Sequence, residues 1–248
     1  MVLFEAFVQA VVHKFFLETG AHGHQEESFT AISYPHDLIH PWPREFAYRV
    51  EFFTRRVDAA AVVPAMHKVL GSEAREHVLS VFASGRAEIK AAYGQFGYDL
   101  AWTNHLMSKK LPTATTAPLS GADIRSVSSA EDVDAINALE PETPSSARAI
   151  DDPGLDDFVG EVDGVIVAKT QMVTIHPEIA YVSDMFTRPE SRRKGLGSAL
   201  LAHLEVRATE MGKEQMILIP SLMAQEIRFY EKHGYQPAVP MHVFVPRA

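Results

Sequence analysis

Cysteine is absent from all 248 residues. That excludes a disulfide scaffold, a thiol nucleophile and any cysteine-ligated zinc, and it suits a reducing compartment, so the cytoplasm is the expected location. Positive charge is scarce. Lysine and arginine number 23 against 32 aspartates and glutamates, for a formal net charge of −9. General nucleic-acid binding, which runs on a basic face, is not expected of such a chain. Long apolar runs are missing too, and without about 18 consecutive apolar residues no membrane span is expected. The apolar N-terminal FEAFVQAVVHKFF carries Glu5 where a secretory signal would be positive, so residues 3 to 18 read as an amphipathic helix. Hydrophobic content is plentiful at 46%, ample for one large domain or two small ones.

The chemistry concentrates in Tyr181 to Leu204, YVSDMFTRPESRRKGLGSALLAHL. Tyr181 to Thr187 is rich in aromatic and β-prone residues, Pro189 stops the ladder, and Leu196, Leu200 and Leu204 recur at helical spacing. Between strand and helix lies Arg192-Arg193-Lys194-Gly195-Leu196-Gly197, followed by Ser198. The first N–H groups of a helix have no internal partner, and the helix dipole adds positive charge there. Glycines 195 and 197 let an anion reach the bare backbone, and the three cations supply whole charges, so the stretch predicts a diphosphate site. It lacks the Gly-Lys-Ser/Thr ending of a nucleotide P-loop and the Gly-x-Gly-x-x-Gly of a dinucleotide site.

Farther on stands Phe229-Tyr230-Glu231-Lys232-His233-Gly234-Tyr235. With Arg192-x-x-Gly195-x-Gly197 before it, residues 120 to 248 resemble the GNAT superfamily of acyl-coenzyme A-dependent N-acetyltransferases. The resemblance implies an α/β fold, a mixed sheet flanked by helices, with acetyl-CoA as cofactor. It implies that a backbone N–H within Met185, Phe186 and Thr187 holds the thioester carbonyl, that 192–198 grip the diphosphate, and that Tyr230 contacts the cofactor sulfur and protonates the leaving thiolate. An Asn seven residues before that Tyr is frequent in the family; here the place is Met223, with Ser221 and Gln225 nearby. For the base, Asp184 on the cofactor strand is the candidate and Glu161 the weaker one. The acceptor is expected to be a primary amine of a small molecule. A protein or peptide acceptor, and non-catalytic acyl-CoA binding, stay open as alternatives, as does a homodimer.

The element order read from residues 124 to 246 is β-α-β-β-β-α-β-α-β. A strand starts at Ile124, Ser128-x-x-Glu131 is a capping-box signal for a helix to about Leu139, and Asp163-Gly164 turns a hairpin. Strand 179–188, helix 195–211, strand 215–220 and helix 223–233 follow, and one or two short strands close the chain.

The first half echoes this. YRVEFFTR at 48–55 parallels YVSDMFTR at 181–188, with Glu51 answering Asp184, and Tyr93-x-x-x-Gly97-Tyr98 parallels Tyr230-x-x-x-Gly234-Tyr235. A duplicated unit is expected, with 1–110 a degenerate companion, a linker at 111–122 within the unpatterned Ser108–Ala122, and 123–248 the acetyltransferase domain. Ala59, Val62 and Pro64 fall roughly where Arg192, Gly195 and Gly197 would be, leaving no cation between Arg56 and Lys68. His22, His24, His36 and His40 lie close in sequence, but with no cysteine and no recognisable carboxylate spacing they read as loop residues, and no metal is expected.

Overall fold

The computed structural model describes residues 2–35, 48–71, 76–111, 123–141 and 144–247. The first half runs α1 (Val2–Thr19), β1 (His22–Gln25), β2 (Thr30–Ser33), β3 (Val50–Thr54), α2 (Ala59–Leu70), β4 (His77–Phe82), α3 (Arg86–Gly94) and β5 (Tyr98–Lys110). The second runs β6 (Asp123–Ser126), α4 (Ala130–Leu139), β7 (Leu155–Val162), β8 (Val165–Val173), β9 (Ile179–Thr187), α5 (Leu196–Glu210), β10 (Gln215–Leu218), α6 (Ala224–Lys232) and β11 (Gln236–Pro246). The series β3-α2-β4-α3-β5 repeats as β9-α5-β10-α6-β11, so the architecture is duplication-like and mixed α/β.

All described strands form one sheet in the order β1-β2-β3-β4-β11-β5-β10-β9-β8-β7-β6. At its centre the halves exchange their last strands. β5 pairs antiparallel with β10 of the second half, while β11 pairs antiparallel with β4 of the first. β5 and β11 also pair with each other, from Gln236↔Ser108 to Pro246↔Tyr98. Neither half therefore closes its own sheet, since each would leave a β edge and an apolar face open.

On β5 the consecutive Leu106 and Met107 enter different clusters, as do Val243 and Phe244 on β11. Consecutive strand residues point to opposite faces. So α2 and α3, which pack with Phe244, and α5 and α6, which pack with Met107, share one face, and α1 packs on the other. Helix α1 lies across both halves: its cluster joins Phe7 and Val11 to Phe53 and Val78 as well as to Ile179 and Ile217.

Several sequence expectations change. Ser108 to Lys110 extend β5 rather than opening a linker; residues 112–122 of the expected linker lie outside the described residues. The close of the chain is a single strand of 11 residues in spite of Pro237, Pro240 and Pro246, with register shifts at Pro237/Val239 and Val243/Phe244 taking up the irregularity. The helix cap is Ser129 instead of Ser128: its hydroxyl accepts from the Asp132 N–H at 3.2 Å, while the Asp132 carboxylate turns to Arg125 at 2.7 Å and accepts the Ser128 N–H. His22–Gln25 forms an exposed strand, and His24 Nε2 stands 2.8 Å from Glu26. Among the described residues no group of three or more potential ligands gathers around a metal position; His36 and His40 lie outside them.

The α1 face carries polar groups at depth. Glu51 of β3 accepts from the Tyr48 hydroxyl at 3.3 Å and the Ser80 hydroxyl at 3.5 Å. Burial outweighs those two bonds and pushes its carboxyl up from 4.5 to about 7. Because the folded value lies above the unfolded one, the native state binds the extra proton, and stability falls as pH rises from about 4.5 to about 7, then levels.

Two outcomes follow. Co-expressed fragments 1–111 and 121–248 should purify together as a one-to-one complex, whereas either alone should be insoluble; a soluble, folded 121–248 fragment would contradict the exchanged strands. Glu51→Gln should raise the melting temperature at about pH 8 and lose that advantage toward about pH 5. Equal shifts at both pH values would show that the carboxyl is not buried as described.

Candidate active site

Strand β9 departs from regular geometry at one place. Gln171 of β8 stands opposite Ser183, yet Lys169 stands opposite Phe186, so two steps on β8 meet three on β9. The extra residue is taken up around Asp184, whose φ of 50° lies in the left-handed region. On its other side β9 pairs in parallel with β10 only from Ile179↔Gln215 to Val182↔Leu218. Beyond Val182 the two strands part. The Arg188 N–H goes to the Val167 carbonyl on the β8 side at 2.8 Å, so strand alternation turns the Thr187 and Met185 N–H groups toward the gap and leaves Phe186 bonded toward β8.

The bulge distributes the predicted residues over both faces of the sheet. Met185 faces α6, where the Tyr230 hydroxyl approaches its sulfur at 3.8 Å. Burial pushes the Tyr230 phenol well above 10, so it stays protonated and able to donate. Asp184 faces α1 and lies 2.8 Å from Lys14 Nζ. Glu161 is not brought to the gap: it sits on β7, tied to Arg125 at 2.6 Å.

Past β9, a 3-10 turn at Pro189–Ser191 leads to α5. Arg192 Nε donates to the Thr187 carbonyl at 2.8 Å and its guanidinium lies 5.7 Å from the Phe186 ring centre, so Arg192 and Phe186 brace the loop. Arg193, with φ 61°, and Lys194 are exposed. Gly195 caps α5 with φ 86° and no side-chain cap, and the first helical bond runs from Ala199 N–H to Gly195 at 2.9 Å. The amides of Leu196, Gly197 and Ser198 therefore precede the helix ladder. A Cβ on Gly197 would already touch the Phe229 ring at 3.5 Å, so α6 packs close against the start of α5 there. His233 ties the two helices: Nδ1 donates to the Phe229 carbonyl at 2.7 Å, leaving Nε2 to accept from the Ser198 hydroxyl at 2.9 Å. Met223 is exposed ahead of α6. The far wall of the gap is held from the first half, where Asn104 on β5 donates to the Pro220 carbonyl at 2.6 Å.

These residues fit an acyl-CoA. A helix N-terminus opened by glycine and flanked by three exposed cations, one of them (Arg192) bonded to the Thr187 carbonyl, suits a diphosphate, and the parted strands turn amides to the gap beside a protonated phenol.

The matching place in the first half is built differently. β3 and β4 stay paired from Val50↔His77 to Thr54↔Val81, and β3 meets β2 without a register shift, so there is neither bulge nor gap. The loop to α2 has four residues, 55–58, against eight, 188–195, before α5. Ala59, Val62 and Pro64 thus lie inside α2 and do not correspond to the loop residues, which corrects the sequence alignment. Asp58 caps α2 with its carboxylate on the Ala60 N–H at 3.1 Å, where an anion would have to sit. The Tyr93 hydroxyl, counterpart of Tyr230, is spent on the Arg56 carbonyl at 2.7 Å.

Sequence reasoning missed Lys14 and Glu18 of α1. Buried Phe7, Ala10, Val11 and Leu17 recur at helical spacing, and Lys14 falls within that stripe. A lysine on the core face of a helix is the signal that marks it.

A cavity of about 330 Å³ opens elsewhere, between Phe4, Glu5, Gln9, Glu27, Phe53 and Arg55, away from the gap. The described helices include none long and apolar enough to cross a membrane.

Residues 155–237 match the model of the acetyltransferase (GNAT) domain family. No curated protein matches the chain. Among solved structures, a GCN5-related N-acetyltransferase from Kribbella flavida is similar over 99% of this chain and 95% of its own, with 18% identity and a TM-score of 0.73. A tandem GNAT protein from the clavulanic acid biosynthesis pathway is similar over 88% of this chain and 78% of its own, with 14% identity and a TM-score of 0.62. A GCN5-related N-acetyltransferase from Sphaerobacter thermophilus is similar over 91% and 83%, with 12% identity and a TM-score of 0.60. The chain has the GNAT acetyltransferase fold, in a duplication-like arrangement that these structures match over both halves.

Proposed function

We propose that this chain is an N-acetyltransferase that moves the acetyl group of acetyl-CoA onto a primary amine of a small molecule, with the second half alone holding the cofactor. The observation that carries the reading is the bulge at Asp184, which sets an acid and a base on opposite faces of one gap. Acetyl-CoA supplies an activated acyl group as a thioester. Arg193, Lys194 and the amides that open α5 hold its diphosphate. One of the two N–H groups turned to the gap, that of Met185 or of Thr187, holds the thioester carbonyl, and a preorganised donor of this kind is typically worth about 10²–10³ in rate. Tyr230, protonated beside Met185, gives its proton to the departing sulfur. Asp184, on the α1 face, takes a proton from the incoming amine; an alkylamine near pKa 10.4 leaves only about one molecule in a thousand neutral at pH 7.

Acidic groups outnumber basic ones on the acceptor side. Glu18, Asp157 and Glu140 join Asp184 against Lys14 and Lys169 within interaction range, a balance that favours a cationic acceptor. In the first half, the unbroken β3–β4 ladder and the Asp58 cap support the reading of a degenerate companion.

A panel of small amines, polyamines and peptides with acetyl-CoA should release free thiol with a small amine, and Tyr230→Phe should lower kcat by about 10²-fold with KM for acetyl-CoA little changed. Coenzyme A binding with no thiol release from any amine would replace the enzyme by a non-catalytic binder; release with peptides alone would move the acceptor class.

A further inference from the structure

Asp184 does not stand alone. Lys14 Nζ contacts Asp184 at 2.8 Å and Glu18 at 2.6 Å, so one ammonium is shared by two carboxylates. Gln171 of β8 donates to Glu18 at 2.7 Å, and the Ser183 hydroxyl, one residue before the bulge apex, donates to Gln171 at 3.3 Å. The five side chains form one run of contacts through β9, α1 and β8, whose ends, Asp184 and Ser183, are neighbours on β9. Exposure within it is uneven: 15% for the Asp184 side chain, 6% for Lys14 and 4% for Glu18. Asp184 is thus the member a substrate can reach, and the α1 pair stands behind it.

We propose that Glu18 and Lys14, on the helix that opens the first half, are positioning residues for acetyl transfer in the second half, fixing the Asp184 carboxylate and dividing its counter-charge with it. This rests on the reading of Asp184 as the base. The argument is electrostatic. A lysine engaged by one carboxylate holds it ionised and weakens it as a base; a lysine divided between two holds each less firmly. When Glu18 is ionised it competes with Asp184 for the Lys14 ammonium, which then stands between the two carboxylates. When Glu18 is protonated, the whole ammonium charge falls on Asp184.

Burial, the largest influence, and the Asp184 charge raise the Glu18 carboxyl, while Lys14 and Gln171 oppose them; the balance lies at about 7. The groups facing this pair are Lys14 on α1 itself, Asp184 and Tyr181 on β9, Gln171 and Lys169 on β8, Asp157 on β7, and Tyr34 after β2. Glu51 adds its charge to Tyr34 and Tyr181 from β3.

The test compares kcat against pH for the parent, Glu18→Gln and Asp184→Asn, with acetyl-CoA and the best amine. The parent should show an acid limb at about pH 7, since ionised Glu18 is the active form. Glu18→Gln should lose that limb and, at about pH 8, turn over about ten-fold more slowly, with an unchanged KM for acetyl-CoA. Asp184→Asn should lose about 10²-fold at every pH. Glu18→Gln matching the parent in rate and profile, with Asp184→Asn impaired, would overturn the proposal and leave the base in place. Asp184→Asn matching the parent would remove the base and the proposal together. Should Glu18→Gln not fold, infrared spectra in a Glu51→Gln background decide. A protonated-carboxyl band lost at the same pH as the rate limb supports the assignment, and a limb with no such band overturns it.

Discussion

A single extra residue in β9 governs the site. A parallel ladder bonds both strands along its whole length, and nothing can enter it. By inserting a residue at Asp184 against β8, the chain ends the pairing of β9 with β10 at Val182 and leaves the later amides of β9 without a ladder partner on β10. A non-glycine residue in the left-handed region is unfavourable, by roughly 1–2 kcal/mol, and persists only where surroundings hold it. Here Lys14 and Glu18 of α1 hold the Asp184 carboxylate, and Gln171 of β8 links Glu18 to Ser183 beside it. The first half shows the default: β3, free of a bulge, stays paired to β4 through Thr54.

Strand exchange explains why a half without a gap is retained. β5 walls β10 and positions Asn104 on the Pro220 carbonyl, β11 completes the sheet beside β4, and α1 spans both. Fold and site are therefore coupled through the centre of the sheet. Removing the first half would expose β10 and strip the ion pair from Asp184.

The second half was largely legible in the sequence because its signals are local. Glycines at 195 and 197 after three cations, a leucine repeat, and Asp163-Gly164 between β runs each fix a short stretch of backbone. Strand β5 was not legible: along Tyr98–Lys110 only Tyr98, Asn104, Leu106 and Met107 are buried, at no regular spacing, with the consecutive Leu106 and Met107 entering different clusters. Nor was the long β11, whose prolines argue against a ladder that tertiary pairing nonetheless imposes. The alignment of α2 with the cofactor loop failed because the echo in Phe-Thr-Arg conceals a shorter connection. Asp184 could be named from its strand, but its partner Lys14 lies 170 positions away, and only packing brings the two together.

The central claim is that one gap, opened by the bulge and capped by the glycine-bearing end of α5, is the place where coenzyme A binds. Calorimetric titration of the whole chain with acetyl-CoA tests it directly. One equivalent should bind per chain, and Gly195→Asp, which sets a carboxylate and a Cβ at the anion site, should abolish the heat without unfolding the protein. A second equivalent of comparable affinity, or unchanged binding in Gly195→Asp, would contradict the account.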